Sequence, residues 1–283
     1  MATPGEAIVQ QQVPKYEVGP IMGGLYGDGI IGLKGAFSRQ WVQELREDID
    51  ELFKDALTRP GGAVGRGPNR YYVEVHPERI RGFVELASHP WVVAVCQAVL
   101  GPQYKIVEIG FDIPGPGAAF QPWHRDFPSP EDTIVGRRLN SLAFNITTVD
   151  VVEEMGPFEI ACGTQWDLPE EFNHGMFPPK TLYPRYEERA QRKYPQVGDI
   201  SVRSALTIHR GRPNVSNQSR PVLVLGVDAP GANNAERHDL QVTHRFFETL
   251  PQQIRDHLTC RLVEELEPIV QAHTIEGLVM GDA

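Results

Sequence analysis

Apolar residues recur along this chain with two different periods, and the switch between them organises it. Trp41, Leu45, Ile49, Leu52 and Ala56 follow one another at spacings of four and three, the interval that returns to one face of an α-helix. Ser38 ahead of them is a good N-cap, because its hydroxyl can accept from a first-turn amide that has no partner within the helix. Phe37 before it can pack against Val42 inside. A second helical pair is predicted over roughly 78–87 and 90–100, with Pro90 in the first turn and Gly101 past the end. The run 251–271 predicts one more helix, with Ile254, Leu258, Leu262 and Leu266 on a stripe.

Between these helices the period shortens. Segments 104–113, 139–149, 155–161, 198–208 and 221–228 are rich in β-branched or aromatic residues and bounded by Gly, Pro, Asn or Asp. A shorter apolar and glycine-rich run over 26–33 predicts another strand. No helix between them is regular enough for βαβ units. The expected class is mainly β with flanking helices, an antiparallel sandwich or barrel buttressed at both ends. Residues 1–20 read as a loose arm punctuated by Pro4, Pro14 and Pro20, and residues 21–283 as a single domain.

Composition narrows the classes. The chain has 283 residues, 41% of them hydrophobic, enough to bury a substantial core. There is no apolar stretch long enough to cross a bilayer and no secretory signal pattern at the start, so the expected place is the cytoplasm and no membrane partner is expected. A net charge of -10 at pH 7 repels phosphate backbones, which argues against nucleic acid. Cys96, Cys162 and Cys260 are widely spaced, which argues against a disulfide framework and a zinc–sulfur site. The pattern specifies no oligomeric state.

The chemistry begins at Gln121-Pro-Trp-His124-Arg-Asp126, which follows the loop 114–117. On an extended backbone, positions two apart point to the same side, so this imidazole and carboxylate can reach one ion. A second imidazole, His209, ends the strand-like run 198–208. Two histidines and one carboxylate on one face of an octahedron leave three positions open. That is the ligand set of non-haem iron(II) oxygenases, where those positions take a bidentate 2-oxoacid and O2. Arg220 stands eleven positions after His209 (209 to 220), at the start of the next apolar run. If the two strands pair as a hairpin, Arg220 enters the same cavity, where its guanidinium can clamp the far carboxylate of 2-oxoglutarate.

These pieces together resemble the phytanoyl-CoA dioxygenase family. The resemblance rests on Trp-His124-Arg-Asp126, on Gly156-Pro-Phe-Glu-Ile160 running into Gly163-Thr-Gln165, on Gly198-Asp-Ile200, and on His209-Arg-Gly-Arg-Pro-Asn214 through Arg220. It implies a double-stranded β-helix (a jelly roll) and a dioxygenase that holds Fe(II) through His124, Asp126 and His209. By the same resemblance a small-molecule metabolite is oxidised, most simply hydroxylated, while 2-oxoglutarate and O2 yield succinate and CO2, with ascorbate as reductant in vitro. It also makes Gln121 a second contact to 2-oxoglutarate, and leaves open whether Arg66 or Arg70 reaches in from the loop 60–68. Two departures stand out. Gln165 occupies the place where the family usually carries a histidine, so that position is given no role. Lys105 lies too early to be the lysine that many relatives place before the metal loop. Asp126 is intact, which disfavours the halogenation of relatives that lack this carboxylate.

Plainer readings exist for each piece. His124, Asp126 and His209 could be two buried histidines beside a paired aspartate, and Arg220 could pair with a surface acid. Asn214 and Ser216 read as turn formers, Asp199 as a turn cap, and Trp123 and Trp166 as packing residues. His76, His89 and His174 fall outside the motif. Two other functions use the same framework: a catalytically silent jelly roll that binds a ligand, and a hydrolase that loads zinc or manganese on the same triad. The first would predict a lost ligand, and the second leaves Arg220 without a purpose. The loop 60–68, the cluster Arg70-Tyr71-Tyr72 and the span 172–184 are candidate lids.

Overall fold

The computed structural model describes residues 16–170, 172–232 and 238–271, apart from the side chain of Asp132. The first fifteen residues of the expected arm lie outside this set, and a short helix, α1 (Val18–Gly23), begins before residue 20. Twelve strands follow in chain order: β1 (Ile30–Leu33), β2 (Val64–Gly65), β3 (Arg70–Glu74), β4 (Lys105–Pro114), β5 (Ser141–Thr147), β6 (Phe158–Ala161), β7 (Ala190–Lys193), β8 (Ile200–Ser204), β9 (His209–Gly211), β10 (Val222–Asp228), β11 (Gln241–Thr243) and β12 (Arg261–Val263). Seven form one antiparallel sheet in the order β1-β8-β5-β10-β4-β3-β2, three form a smaller sheet, β7-β6-β9, and β11 and β12 pair alone. Among the described residues the two main sheets do not close into one barrel. A cavity lies between them.

The large sheet is two-faced because its strands alternate. On β5, Leu142, Phe144 and Ile146 join the main core, whereas Ala143, Asn145 and Thr147 line the cavity. On β10 the core takes Leu223, Leu225 and Val227, and the cavity takes Val222, Val224, Gly226 and Asp228. A period of two places every second side chain on the same side, so one strand serves both faces. Glu108 and Asp112 follow the same rule on β4, after a bulge in which Gly226 pairs with Glu108 but Val227 with Ile106.

The helices cover the apolar face. Helix α2 (Arg39–Ala56) buries Trp41, Val42, Leu45, Ile49, Leu52 and Ala56, the stripe expected from the sequence, and Ser38 Oγ accepts from the Trp41 amide at 3.1 Å. Phe37 stacks on Trp41, with ring centroids 4.1 Å apart. Helices α3 (Phe83–Ala87) and α4 (Pro90–Leu100) complete this cover. No helix among the described residues is long and apolar enough to cross a membrane.

Four expectations need correction. The helix predicted over 78–87 is a 3₁₀ turn at Pro77–Arg79 and a single turn at α3, because Arg81 turns aside to give its amide (2.9 Å) and Nε (2.6 Å) to the buried carboxylate of Asp48. The C-terminal run is helical only over Gln252–His257; Leu258 then bridges to Ile106, and 261–263 pair with β11, so sheet pairing overrides the stripe. The segment 198–208 is strand only over β8 before a turn leads into β9. Finally, β9 and β10 are not a hairpin: β9 pairs with β6, and β10 with β4 and β5, so the chain crosses from one sheet to the other between them.

Candidate metal centre

The segment 124–126 runs extended against the chain that carries β9. The His124 amide donates to His209 O (3.0 Å), the His209 amide to His124 O (2.9 Å), and the Asp126 amide to Ala205 O (3.0 Å). The intervening Arg125 amide turns the other way, to Met176 O at 3.1 Å. That alternation puts the side chains of His124 and Asp126 on one side, as the i, i+2 argument requires. The strand end behind His209 is braced by the motif Gly163-Thr-Gln165. Gly163 turns the chain at φ +74°, and Thr164 Oγ1 accepts from the Ile208 amide at 2.8 Å while donating to Ala161 O at 2.6 Å. Gln165, buried, donates to the carbonyls of Leu25, Tyr26 and Gly27, each at 3.2 Å, and so ties the N-terminal turn to this corner.

Ligand atoms of His124, Asp126 and His209 lie within 4.8 Å of one another, a group that could hold a metal ion. Nδ1 of His124 lies 2.8 Å from Pro122 O, and Nδ1 of His209 lies 2.8 Å from Thr207 O. A carbonyl only accepts, so each Nδ1 carries the proton and each Nε2 keeps its lone pair, the tautomer a metal needs. Burial, aided by the neighbouring His209, pushes His124 down to about 3. Burial followed by Arg203 lowers His209 in the same direction. Burial alone would raise Asp126, but Arg203 and then His209 outweigh it and hold the carboxyl well below its usual range. Two neutral imidazoles and one carboxylate therefore face one point, a donor set suited to a divalent ion such as iron(II).

Arg220 lines the same cavity, although not through a hairpin. Asn214 links the loops: its amide donates to Ala118 O (2.9 Å), its Nδ2 to Pro114 O (3.1 Å) and Gln218 O (2.7 Å), and its Oδ1 accepts from Ser216. The Arg220 amide then docks on Pro114 O at 3.0 Å, turning a buried guanidinium inward. Burial first and the charge of Arg70 second lower Arg220 to about 10. Of the two candidate arginines, Arg70, the first residue of β3, is the buried one, 2% exposed, whereas Arg66 is half-buried with its guanidinium over the Tyr72 ring. Arg70 Nη1 donates to Gln121 Oε1 (2.7 Å) and Asp112 Oδ2 (3.2 Å), while its Nε and Nη2 have no hydrogen-bond partner among the described residues. Gln121 Oε1 also accepts from the Gly211 amide at 2.9 Å. A Cβ at residue 211 would come within 2.2 Å of Arg70 Nη2, so only glycine permits this packing. Two buried guanidiniums against the carboxylate of Asp112 make this end of the cavity receptive to an anion.

The cavity measures about 430 Å³. All three lid candidates contribute to its wall: Val64 and Arg66 from the first, Arg70 and Tyr72 from the second, Met176 and Phe177 from the third. Phe177 stacks near His124 at 5.9 Å between ring centroids. Trp123 packs instead with Tyr186, Phe172 and Ile208, and Trp166 donates to Tyr26 O. Asp199 accepts from the Gly35 and Gln196 amides, as a turn cap should. His89 caps α4, and His76 binds the backbone of Gln241 and Glu267. The sequence reading missed Arg203 on β8, which donates through both Nη atoms to Asp126. A signal was present: in Ile200-Ser-Val-Arg-Ser204, Ile200 and Val202 are the core positions, so Arg203 falls on the other face.

Solved structures of similar fold include the epimerase SnoN in complex with Fe3+, alpha ketoglutarate and nogalamycin RO, at 17% identity and TM-score 0.61, covering 75% of this chain and 83% of that one. The non-heme alpha ketoglutarate dependent carbocyclase SnoK from nogalamycin biosynthesis is 18% identical with TM-score 0.60, over 77% and 88% of the two chains. EctD from S. alaskensis, with 2-oxoglutarate and 5-hydroxyectoine, is 17% identical with TM-score 0.60, over 75% and 76%. No curated protein matches the chain. The family profile described as phytanoyl-CoA dioxygenase (PhyH) matches residues 25–222, well over half of the chain, and this protein belongs to that family.

Proposed function

We propose that this dioxygenase hydroxylates a C–H bond of a small-molecule metabolite, with His124, Asp126 and His209 holding iron(II), and Arg220 and Gln121 placing 2-oxoglutarate. The observation that carries the reading is the meeting, in one cavity, of a neutral-His, carboxylate donor set with a buried two-arginine end. Bound iron would supply the activation of O2 and the oxidation of the C–H bond, coupled to conversion of 2-oxoglutarate to succinate and CO2. The chain's own residues do the rest. The carbonyls of Pro122 and Thr207 fix both imidazoles by accepting from Nδ1. Arg220 offers a planar fork for the distal carboxylate, and Gln121, whose oxygen is spent on Arg70 and Gly211, keeps an amide nitrogen free to donate. Phe158, Phe177 and Met176 form an apolar wall that keeps water from the reacting atoms. A cavity of this size takes the co-substrate and a small metabolite together.

The test is succinate formation by purified protein with iron(II), ascorbate, 2-oxoglutarate and air, with and without a panel of small metabolites. Iron-dependent succinate that rises with one panel member is expected, and that member should gain one oxygen atom. Loss of two hydrogens instead would replace hydroxylation by desaturation. Silence across the panel, with iron bound and no background succinate, would count against the oxidation reading itself.

A further inference from the structure

Arg203 has no place in the ligand set or in the co-substrate end, yet both its Nη atoms donate to Asp126. We propose that Arg203 is a positioning residue that confines Asp126 to ligation through one oxygen, keeping the remaining positions of the metal free for 2-oxoglutarate and O2. This rests on the reading of His124, Asp126 and His209 as the ligands.

The geometry divides the carboxylate of Asp126 between two tasks. Oδ1 lies 3.4 Å from His209 Nε2, on the side where the imidazole lone pairs converge. Oδ2 is taken by Arg203 Nη1, and Nη2 reaches Oδ1 at 3.2 Å. For Asp126 to chelate a metal with both oxygens, the inward-facing lone pairs of both would have to leave the guanidinium, whereas Oδ1 can bind a metal through its outer lone pair with the fork in place. Arg203 is 7% exposed and forms no ion pair with any other carboxylate among the described residues, so its charge would be left buried and uncompensated. The arginine is also fixed from behind. It sits on β8 between Ile30 of β1 and Ala143 of β5, where the small alanine leaves room, and its guanidinium lies 5.7 Å from the centre of the Phe158 ring. A planar fork with two parallel donors can grip both oxygens at once; the point charge of a lysine cannot.

The arithmetic of positions makes the consequence. Three protein ligands leave three sites on an octahedral ion, of which 2-oxoglutarate takes two and O2 needs the third. A second oxygen from Asp126 would fill that third site.

The test uses whole protein loaded with iron(II) and 2-oxoglutarate under argon, with nitric oxide as a stable stand-in for O2 read by electron paramagnetic resonance. Wild type is compared with Arg203→Lys and Arg203→Gln, each checked for folding by circular dichroism and for metal content. The variants should keep iron but bind nitric oxide about tenfold more weakly or worse, the size of effect known for residues that orient metal ligands. Variants that hold iron and bind nitric oxide within about twofold of wild type would overturn the proposal, since a merely structural arginine has no reason to touch that affinity. For variants that fail to fold, a metal-loaded minus metal-free infrared difference spectrum of wild type decides. A wide separation of the carboxylate stretches supports one-oxygen ligation, and a narrow one refutes it. Failure of wild type to bind iron at all would instead strike the ligand assignment.

Discussion

Leu225 and Val224 are neighbours on one strand, yet they belong to different molecules in a chemical sense. Leu225 points into the helix-covered core between Phe144 and Ile109, and Val224 points into the cavity between Asn145 and Gly110. The same contrast runs across the whole seven-stranded sheet. One face is made of interchangeable apolar side chains whose job is volume; the other holds His124, Asp126, Arg203, Arg70 and Arg220 close by, each useful only in one orientation. A core face tolerates changes of identity that keep size, whereas the cavity face tolerates changes of size far from the charges but not changes of donor.

If the comparison is right, substitutions on the two faces separate chemistry from stability. The largest effect belongs to the centre. His124→Ala or Asp126→Ala should abolish 2-oxoglutarate turnover while leaving the circular dichroism spectrum in place. Retained turnover in either would sink the ligand assignment. Next comes the core. Leu225→Ala removes a fully buried side chain and should cost about 2–5 kcal/mol of unfolding free energy in denaturant titrations, with little change in turnover well below the transition. A Leu225→Ala enzyme of normal stability but impaired turnover would erase the distinction between the faces. Val224→Ala, one residue away, should cost less stability.

Arg220 tests the cavity face more finely. If Arg220 holds the co-substrate as proposed, Arg220→Ala leaves His124, Asp126 and His209 in place and removes charge-assisted hydrogen bonds worth about 1.5–3 kcal/mol each. The apparent 2-oxoglutarate requirement should therefore rise about 10- to 100-fold, with a smaller rise for Arg220→Lys. An unchanged requirement would remove Arg220 from the co-substrate site and leave that task to Arg70.

The two faces also differ in how much of them the sequence reveals. The core face announces itself through local period, so the stripe of α2 and the apolar positions of β4, β5 and β10 follow from neighbours a few residues apart. Local period misleads where a distant partner competes, as when Asp48 draws Arg81 out of a helix or β11 captures residues 261–263. The cavity face depends on partners far along the chain. The meeting of His124, Asp126 and His209 could be expected because iron chemistry uses those residue types together, and the presence of Arg220 in their cavity because a dicarboxylate needs a cation. Arg203 carries no such demand in its own sequence. Its meaning comes from Asp126, 77 residues away, and only the fold brings them together. The route by which Arg220 arrives was misjudged for the same reason: strand order is set by sheet partners, not by proximity along the chain.

Ser38 supplies the smallest and most local test, a residue whose role was legible from four neighbours. Its Oγ accepts the Trp41 amide at the start of α2, and it is not one of the residues that line the cavity. Ser38→Ala removes that acceptor and leaves a first-turn donor to water, which should cost about 1 kcal/mol. Ser38→Asp should restore most of the loss, because a carboxylate accepts the same amide and also favours the positive end of the helix dipole. Turnover should be indifferent to both, since Ser38 lines no part of the cavity. A change in the 2-oxoglutarate requirement of Ser38→Ala at constant stability would mean that the helix layer transmits its packing through the sheet into the cavity, and that the two faces are less independent than their side chains suggest.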